Sequence, residues 1–187
     1  MRDKVEKWVH YFIAFSFIGW VYEVLVFAFE LHYGFVNRGF LFGPWLPVYG
    51  CGGVLILVLL KDLRDKKIYL GKINVTPIVC FLFIVLISTA TELLTSYLME
   101  WTTGSWLWDY SADGLNFQGR IALKSSIRFG LIGITVLYLI QPGMELLFEK
   151  AKYYQNKVYH AYTGILISLF ALDVLSRVFL GGNYVGP

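Results

Sequence analysis

The chain has 187 residues, of which 57% are hydrophobic, 18% aromatic and 16% charged. Soluble domains are usually about 45–50% apolar and about 25% charged, so this composition is too apolar for a small water-soluble protein. It excludes a disordered chain, a disulfide-stapled scaffold and an ordinary cytosolic enzyme. The formal net charge of +3 gives no support to nucleic-acid binding. We therefore expect an integral membrane protein with a single transmembrane domain over residues 1–187.

Five apolar segments are long enough to cross a bilayer, which takes a helix of about 20 residues. Their approximate bounds are residues 8–29, 42–60, 75–99, 121–140 and 161–180. The third carries Pro77 near its first turn, where proline is tolerated, and the fourth stops before Gln141-Pro142-Gly143. The sequence thus predicts an all-α membrane protein, a five-transmembrane-helix bundle with an aromatic-rich outer interfacial segment.

The basic residues indicate the orientation of this bundle. Eleven of the sixteen Lys and Arg residues lie in the N-terminal segment and in the loops after the second and fourth spans, which share one side. The opposite loops hold only Arg38 and Arg120. Because cytoplasmic loops carry an excess of Lys and Arg, we expect a cytoplasmic N-terminus and a C-terminus outside.

Ionisable residues also fall inside the spans, where a charge at mid-bilayer costs at least ~2.5–3.5 kcal/mol. They are Glu23, Glu92, Lys124, Arg128, Asp173 and Arg177. In the orientation above, all of them lie in the outer half of the membrane. Arg120, Lys124 and Arg128 recur every four residues, so a helix would align them as one basic stripe. The polar faces that carry Glu23 and Glu92 are the expected partners of this stripe.

Two interpretations of these charges remain open. Either they neutralise one another as buried ion pairs that fix the packing of the helices, or they line a water-accessible polar cavity open to the outside. We favour the cavity, because cavities are where intramembrane charges usually face. Asp173 and Arg177 are spaced i,i+4 and suit a structural pair with each other.

The first outer loop, residues 37–50, begins with Asn37 and Arg38 and is rich in glycine and proline. Non-helical backbone at membrane depth survives only where protein or water satisfies its polar groups. The loop is therefore either a broken or re-entrant start of the second span, or an interfacial turn with aromatic anchors.

The second outer loop, residues 101–120, mixes aromatic rings with polar tips. Its candidate ligand-binding residues are Trp108, Asp109, Tyr110 and Asn116. The segment is either a lid over the outer cavity or an aromatic belt at the membrane interface with no ligand. As a lid, its rings and nearby cations suit an amphipathic solute or a lipid head group.

Patterns that would indicate metal binding or nucleophilic catalysis are not visible. His10, His32 and His160 are scattered without ligand spacing, so no metal site is expected, and no cofactor is expected either. The sequence shows neither a nucleophile-elbow motif nor a Ser-His-Asp arrangement. No catalytic residues are therefore assigned. Cys51 and Cys80 fall on different spans and are not expected to form a bridge.

Several motifs between residue 19 and about residue 130 carry a resemblance to a known family. They are Gly19-Trp20-x-x-Glu23, Asn37-Arg38-Gly39-Phe40-Leu41-x-Gly43-Pro44-x-x-Pro47-Val48-Tyr49-Gly50, Trp108-Asp109-Tyr110-Ser111 and Asn116-x-x-Gly119-Arg120-Ile121. With these motifs the chain resembles the CmpB-like, ABC-transporter type IV family of small bacterial multi-pass membrane proteins. It departs from the family pattern at Ala122 and Phe129. The resemblance implies transport in a bacterial plasma membrane, and since no ATPase motif is present, an ATP-driven role needs a separate ATPase subunit.

The leading hypothesis is a transporter, permease or solute-binding subunit for a small anionic or amphipathic molecule. The candidate ligand-binding residues are Glu23, Asn37, Arg38, Glu92, Trp108, Asp109, Tyr110, Asn116, Arg120, Lys124 and Arg128. One alternative is an intramembrane enzyme acting on lipid-linked substrates at the outer leaflet. Another is a structural or partner-binding subunit. Membrane lipids are expected partners in each case, and an oligomer is compatible with the sequence.

Overall fold

The computed structural model describes residues 2–30, 32–39, 41–106 and 108–180, and most of them are helical. The helices are α1 (Arg2–Leu25), α2 (Pro47–Asp65), α3 (Thr76–Thr103), α4 (Leu123–Thr135) and α5 (Gln141–Leu180). A π-helical turn, Val26–Glu30, extends α1, and a second, Val136–Ile140, joins α4 to α5. Two short antiparallel hairpins complete the fold. The first pairs β1 (Tyr69–Leu70) with β2 (Ile73–Asn74), and the second pairs β3 (Asn116–Phe117) with β4 (Ile121–Ala122).

Four helical stretches of the described chain are long and apolar enough to cross a membrane. They are Asp3–Glu30, Thr76–Thr102, Leu123–Tyr153 and Lys157–Phe179. They overlap the first, third, fourth and fifth predicted spans, and the all-helical class is confirmed. Helix α2 is not among the four, because Lys61, Asp62, Arg64 and Asp65 fill its last turns. A fifth crossing and an aromatic interfacial segment remain predictions.

Two predicted span boundaries were wrong, and in both cases proline explains the difference. Residues 42–46 are not helical, and α2 begins at Pro47, a position where the missing N–H costs nothing. Conversely, the backbone stays helical across Pro142, where the fourth span was predicted to have ended. Pro142 cannot donate a hydrogen bond to the carbonyl of Tyr138, and its ring crowds that group. The π-helical turn Val136–Ile140 directly before it accommodates the change.

The first and the later part of helix α5 both pack against α1, but they run in opposite directions along it. Its first part pairs antiparallel: Gln141 with Tyr11, Glu145 with Lys7, and Lys152 with Asp3. Its later part pairs parallel: His160 with Glu6, Thr163 with His10, and Phe170 with Phe12. The ring centroids of Phe148 and Tyr159 are 6.5 Å apart, whereas eleven residues of straight helix rise about 16 Å. Although α5 is helical along its whole length, it cannot be straight between Phe148 and Tyr159, and it bends back there, where a loop between the last two spans was expected.

The chain divides into two compact units. The first joins the residues up to Leu55 to those from Gln141 onward, and the second contains Ile56–Ile140. In the second unit, α3 and α4 pack closely because Gly130 presents no side chain. A Cβ on Gly130 would overlap Phe81 and Val85 of α3. This close packing positions the polar residues described next.

Candidate functional site

Polar side chains line one face of α3 in the second unit and contact residues that follow this helix. We call this group the polar seam, and it consists of Glu92, Ser96, Glu100, Tyr110, Arg120 and Ser125. Glu92, Ser96 and Glu100 recur every four residues and therefore share one face of α3. The other three come from the α3–α4 connection and from the first turn of α4, so the seam joins residues up to 33 positions apart in sequence.

Arg120 is the most buried charged residue of the polar seam, with 6% of its surface exposed. Its guanidinium lies between two rings, 4.0 Å from the centroid of Trp106 and 4.2 Å from that of Tyr97. Nη2 donates to the Glu100 carboxylate, and Nη1 lies 3.4 Å from Ser96 Oγ. Nε is buried and has no hydrogen-bond partner among the described residues. Arg120 is thus held firmly, while its Nε donor is not used by any described residue.

A tight turn directs Arg120 onto α3. Gln118 and Gly119 both have positive φ, +54° and +66°, which is the signature of a type I′ hairpin turn. The Arg120 N–H closes the turn by donating to the Phe117 carbonyl at 3.0 Å. A Cβ on Gly119 would overlap Ser111 Oγ, so this position needs glycine for space as well as for conformation.

The predicted basic stripe on one helix was wrong because α4 begins only at Leu123. Arg120 precedes the helix and belongs to the hairpin, so the spacing of four does not align it with Lys124 and Arg128. Lys124 is exposed and Arg128 is half-buried, both on α4. The printed contacts of Arg120, to Ser96 and Glu100, place it in the polar seam.

Glu92 lies half-buried in the middle of a candidate span and is only partly satisfied. The Tyr110 hydroxyl donates to Oε1 at 2.7 Å and also lies 3.0 Å from Ser125 Oγ. Glu92 Oε2 is buried without a hydrogen-bond partner in the part of the chain that the structure describes. Nearly one turn earlier on α3, Thr89 donates to Ser126 of α4 at 2.7 Å and extends the polar contact.

The hairpin loop is stabilised by its own motif residues. The Trp108 indole N–H donates to the Arg120 carbonyl at 2.8 Å. The backbone N–H of Tyr110 donates to the Gly119 carbonyl at 2.8 Å. These two bonds hold the loop so that the Tyr110 hydroxyl lies over Glu92. Trp108 therefore positions Tyr110 through the loop backbone.

Asp109 and Asn116, both predicted ligand residues, shape turns in this loop. Asp109 Oδ1 accepts hydrogen bonds from the hydroxyl and the backbone N–H of Ser111, at 2.6 and 2.9 Å. These bonds lower the pKa of the exposed Asp109 carboxyl. Asn116 donates to the Asp113 carbonyl and accepts from the Gly119 N–H. Their described hydrogen bonds thus serve the loop itself.

A second polar group lies in the first unit, and we call it the Glu23 cluster: Glu23, Phe27, Arg38 and Tyr49. The Tyr49 hydroxyl donates to Glu23 Oε1 at 2.5 Å. Arg38 Nε lies 3.9 Å from Glu23 Oε2, and the guanidinium covers the Phe27 ring at 3.6 Å. Like Arg120, Arg38 has a buried Nε that no described residue accepts from.

The irregular segment before α2 is held by hydrogen bonds to side chains of α1 and α5. Trp20 donates to Asn37 Oδ1 at 2.7 Å, and Asn37 donates to the Phe42 carbonyl at 2.9 Å. The Asp173 carboxylate accepts from the backbone N–H groups of Phe42 and Gly43, at 3.0 and 2.8 Å. Asp173 therefore accepts hydrogen bonds from the loop backbone, where a contact with Arg177 was expected. Backbone N–H groups next to a membrane span need such partners.

Of the predicted site residues, the polar seam contains Glu92, Tyr110 and Arg120, and the Glu23 cluster contains Glu23 and Arg38. The hydrogen bonds of Asn37, Trp108, Asp109 and Asn116 stabilise the loops. Several partners of these residues were not predicted. The unpredicted ones are Tyr49, Tyr97, Glu100, Trp106 and Ser125, whereas Ser96 was expected on the same polar face as Glu92. The spacing of four from Glu92 through Ser96 to Glu100 was a signal in the sequence for Glu100. The others meet their partners only through folding.

Comparison with known proteins assigns the chain to a family. A family model described as "Putative ABC-transporter type IV" matches residues 10–178. No curated protein and no solved structure matches the chain. The matched region contains the whole polar seam and the Glu23 cluster. The chain is therefore a member of the ABC-transporter type IV family of the CmpB type.

Proposed function

We propose that this chain is the membrane-spanning subunit of a transporter for a small anionic or amphipathic solute, with ATP hydrolysis supplied by a separate subunit. The family description supports a role in ABC-type transport. The observation that carries the solute assignment is a pair of buried polar atoms in the polar seam, Arg120 Nε and Glu92 Oε2, to which no described residue forms a hydrogen bond.

Energetics favour a ligand at this seam over a purely structural network. Burying charged groups in a membrane is costly, and a buried network stabilises a fold only when its members are fully satisfied. Here Arg120 retains a donor and Glu92 retains an oxygen. An acidic or hydroxyl group on a solute can accept from Arg120 Nε and share a hydrogen bond with Glu92. The rings of Trp106 and Tyr97 supply an apolar surface beside it.

The proposal includes five membrane crossings, with α2 as the second. Its apolar part, residues 47–60, spans about 21 Å of the ~30 Å hydrocarbon core, and the uncharged residues 42–46 precede it. If α2 crosses, the N-terminal segment, the basic loop that follows α2, and Lys150 and Lys152 all lie on the same side of the membrane. If α2 does not cross, that basic loop lies opposite the N-terminus. The positive-inside rule therefore supports a cytoplasmic N-terminus and a C-terminus outside, in a bacterial plasma membrane.

In this orientation Glu23 and Glu92 each come late in an outward helix, so both lie in the outer half. Lys124 and Arg128, early in α4, add positive charge at the same depth and attract an anion. We propose that the polar seam is the solute contact of the second unit.

Native mass spectrometry of protein extracted with its own lipids tests this proposal. We expect a retained molecule with an acidic or hydroxyl group in the wild type. Arg120→Gln and Glu92→Gln should lose it while still eluting as single folded species. Arg64→Gln is the matched control, since Arg64 binds the Leu137 carbonyl of the same unit and lies outside the polar seam. Equal retention by Arg120→Gln would refute the solute assignment.

A structural or partner-binding subunit is a second candidate, favoured by the four side chains that Arg120 contacts within its own chain. In that case Arg120→Gln lowers thermal stability, and the wild type retains no small molecule. Affinity purification separates the two further, because a transporter subunit should bring an ATPase with it from its native membrane.

A further inference from the structure

The β1–β2 hairpin presents an apolar tip that nothing in the described chain covers. Its strands pair Tyr69 with Asn74 and Leu70 with Ile73, around a turn at Gly71 with φ +65°. The exposed fractions of Tyr69, Leu70 and Ile73 are 57%, 74% and 68%. Three large apolar side chains on six residues are a costly surface to leave in water.

This hairpin is a fixed structure at the start of a candidate span. Thr76, which is 1% exposed, accepts from the Ile68 N–H at 2.8 Å and donates to the Lys66 carbonyl at 2.9 Å. The Val75 N–H donates to the Ile68 carbonyl at 2.8 Å. Because the span of α3 begins at Thr76, the hairpin must lie at the boundary between membrane and water. Its apolar tip is therefore within reach of lipid.

Positive charge surrounds the apolar tip. Lys66, Lys67 and Lys72 are all exposed. Residues 61–74 contain five basic and two acidic side chains, a net charge of three positive units. The β3–β4 hairpin offers a contrast within the same unit. It also exposes a large apolar residue, Leu115 (70%), but its loop carries two aspartates.

We propose that the β1–β2 hairpin is an anchor for an anionic lipid surface, with Leu70 and Ile73 inserted at the interface and the lysines bound to lipid phosphates. Basic residues beside an apolar tip match the chemistry of an anionic leaflet, where each lysine near the surface favours binding about fivefold. The one basic residue of the β3–β4 hairpin, Arg120, is buried, so this hairpin has no such preference. The proposal does not depend on the transported solute.

The test places an environment-sensitive fluorophore on the hairpin of the full-length protein. Cys80 is fully buried, so Cys51→Ala suffices as background. Leu70→Cys carries the probe, and Leu115→Cys on the other hairpin is the matched control. Both are reconstituted in nanodiscs of phosphatidylcholine alone and of phosphatidylcholine with phosphatidylglycerol. Emission wavelength and quenching by spin-labelled lipids report whether the probe is immersed.

We expect the probe at residue 70 to shift to the blue and to be quenched in the anionic nanodiscs, with a much smaller effect in the zwitterionic ones. Replacing Lys66, Lys67 and Lys72 by glutamine should lower the ratio of lipid-immersed to water-exposed probe at residue 70 by up to about 100-fold. Arginine at the same positions should restore this ratio. The probe at residue 115 should show no preference for anionic lipid. Equal immersion at residue 70 in both lipids would overturn the proposal. So would a probe that stays in water in nanodiscs and is shielded only when a partner protein is added.

Discussion

Removing the Tyr110 hydroxyl tests whether Glu92 depends on the hairpin loop. In Tyr110→Phe, Glu92 Oε1 loses its 2.7 Å donor while the aromatic ring stays. Hydrogen bonds to charged groups contribute about 1.5–3 kcal/mol, and an unsatisfied buried carboxylate adds to the loss. We therefore expect the free energy of unfolding to fall by about 2 kcal/mol. For a chain of this size that is a fall of roughly 4–8 °C in Tm, measured from tryptophan fluorescence in mild detergent.

Tyr97→Phe is the matched control for this prediction. The Tyr97 hydroxyl also donates at 2.7 Å, but to the side chain of Gln118 at an exposed position. Its loss should cost less than about 0.5 kcal/mol, as surface substitutions usually do. A double-mutant cycle of Tyr110→Phe with Glu92→Gln should show coupling of about 1 kcal/mol or more. Equal costs for the two tyrosines, or no coupling with Glu92, would refute this reading of the polar seam.

Further predictions concern the packing and the loop. Gly130→Leu should overpack the α3–α4 contact and lower the free energy of unfolding by about 1–3 kcal/mol or more, whereas Gly143→Leu, with nothing near its Cβ, should be tolerated in the same assay. Gln141→Leu should cost about 1–3 kcal/mol, because the fully buried amide donates to side chains of both α1 and α5. Because the pKa of Asp109 is lowered, its ionised carboxylate stabilises the turn at every pH above the ordinary pKa of an aspartate. This stabilisation is lost as the pH falls through the lowered pKa. Ser111→Ala should therefore raise the pKa of Asp109, measured by NMR titration of the carboxyl carbon.

Span locations were predictable where lipid imposes a simple rule. About 20 apolar residues in a row can hardly be anything but a crossing helix, so α1, α3, α4 and the later part of α5 agree with their predicted spans. Boundaries were less predictable because they depend on local hydrogen bonding. Pro142 predicted a helix end, yet a preceding π-helical turn lets the helix continue.

The polar seam shows why site geometry is harder to predict. A spacing of four suggests one helix face only if the whole stretch is helical, and the turn at Gln118 and Gly119 removes Arg120 from α4. Asn116 and Gly119 were turn signals that pointed to this outcome. The contact of Tyr49 with Glu23 had no local signal, because only the folding of α1 against α2 brings the two residues together.

The most direct test of the central claim is the affinity of wild-type protein and of Arg120→Gln for the molecule that native mass spectrometry finds bound. Isothermal titration in nanodiscs gives both dissociation constants. Loss of a charged hydrogen bond of about 1.5–3 kcal/mol should weaken binding roughly 10- to 150-fold in Arg120→Gln. An unchanged dissociation constant in a folded variant would contradict the assignment of the polar seam as the solute site.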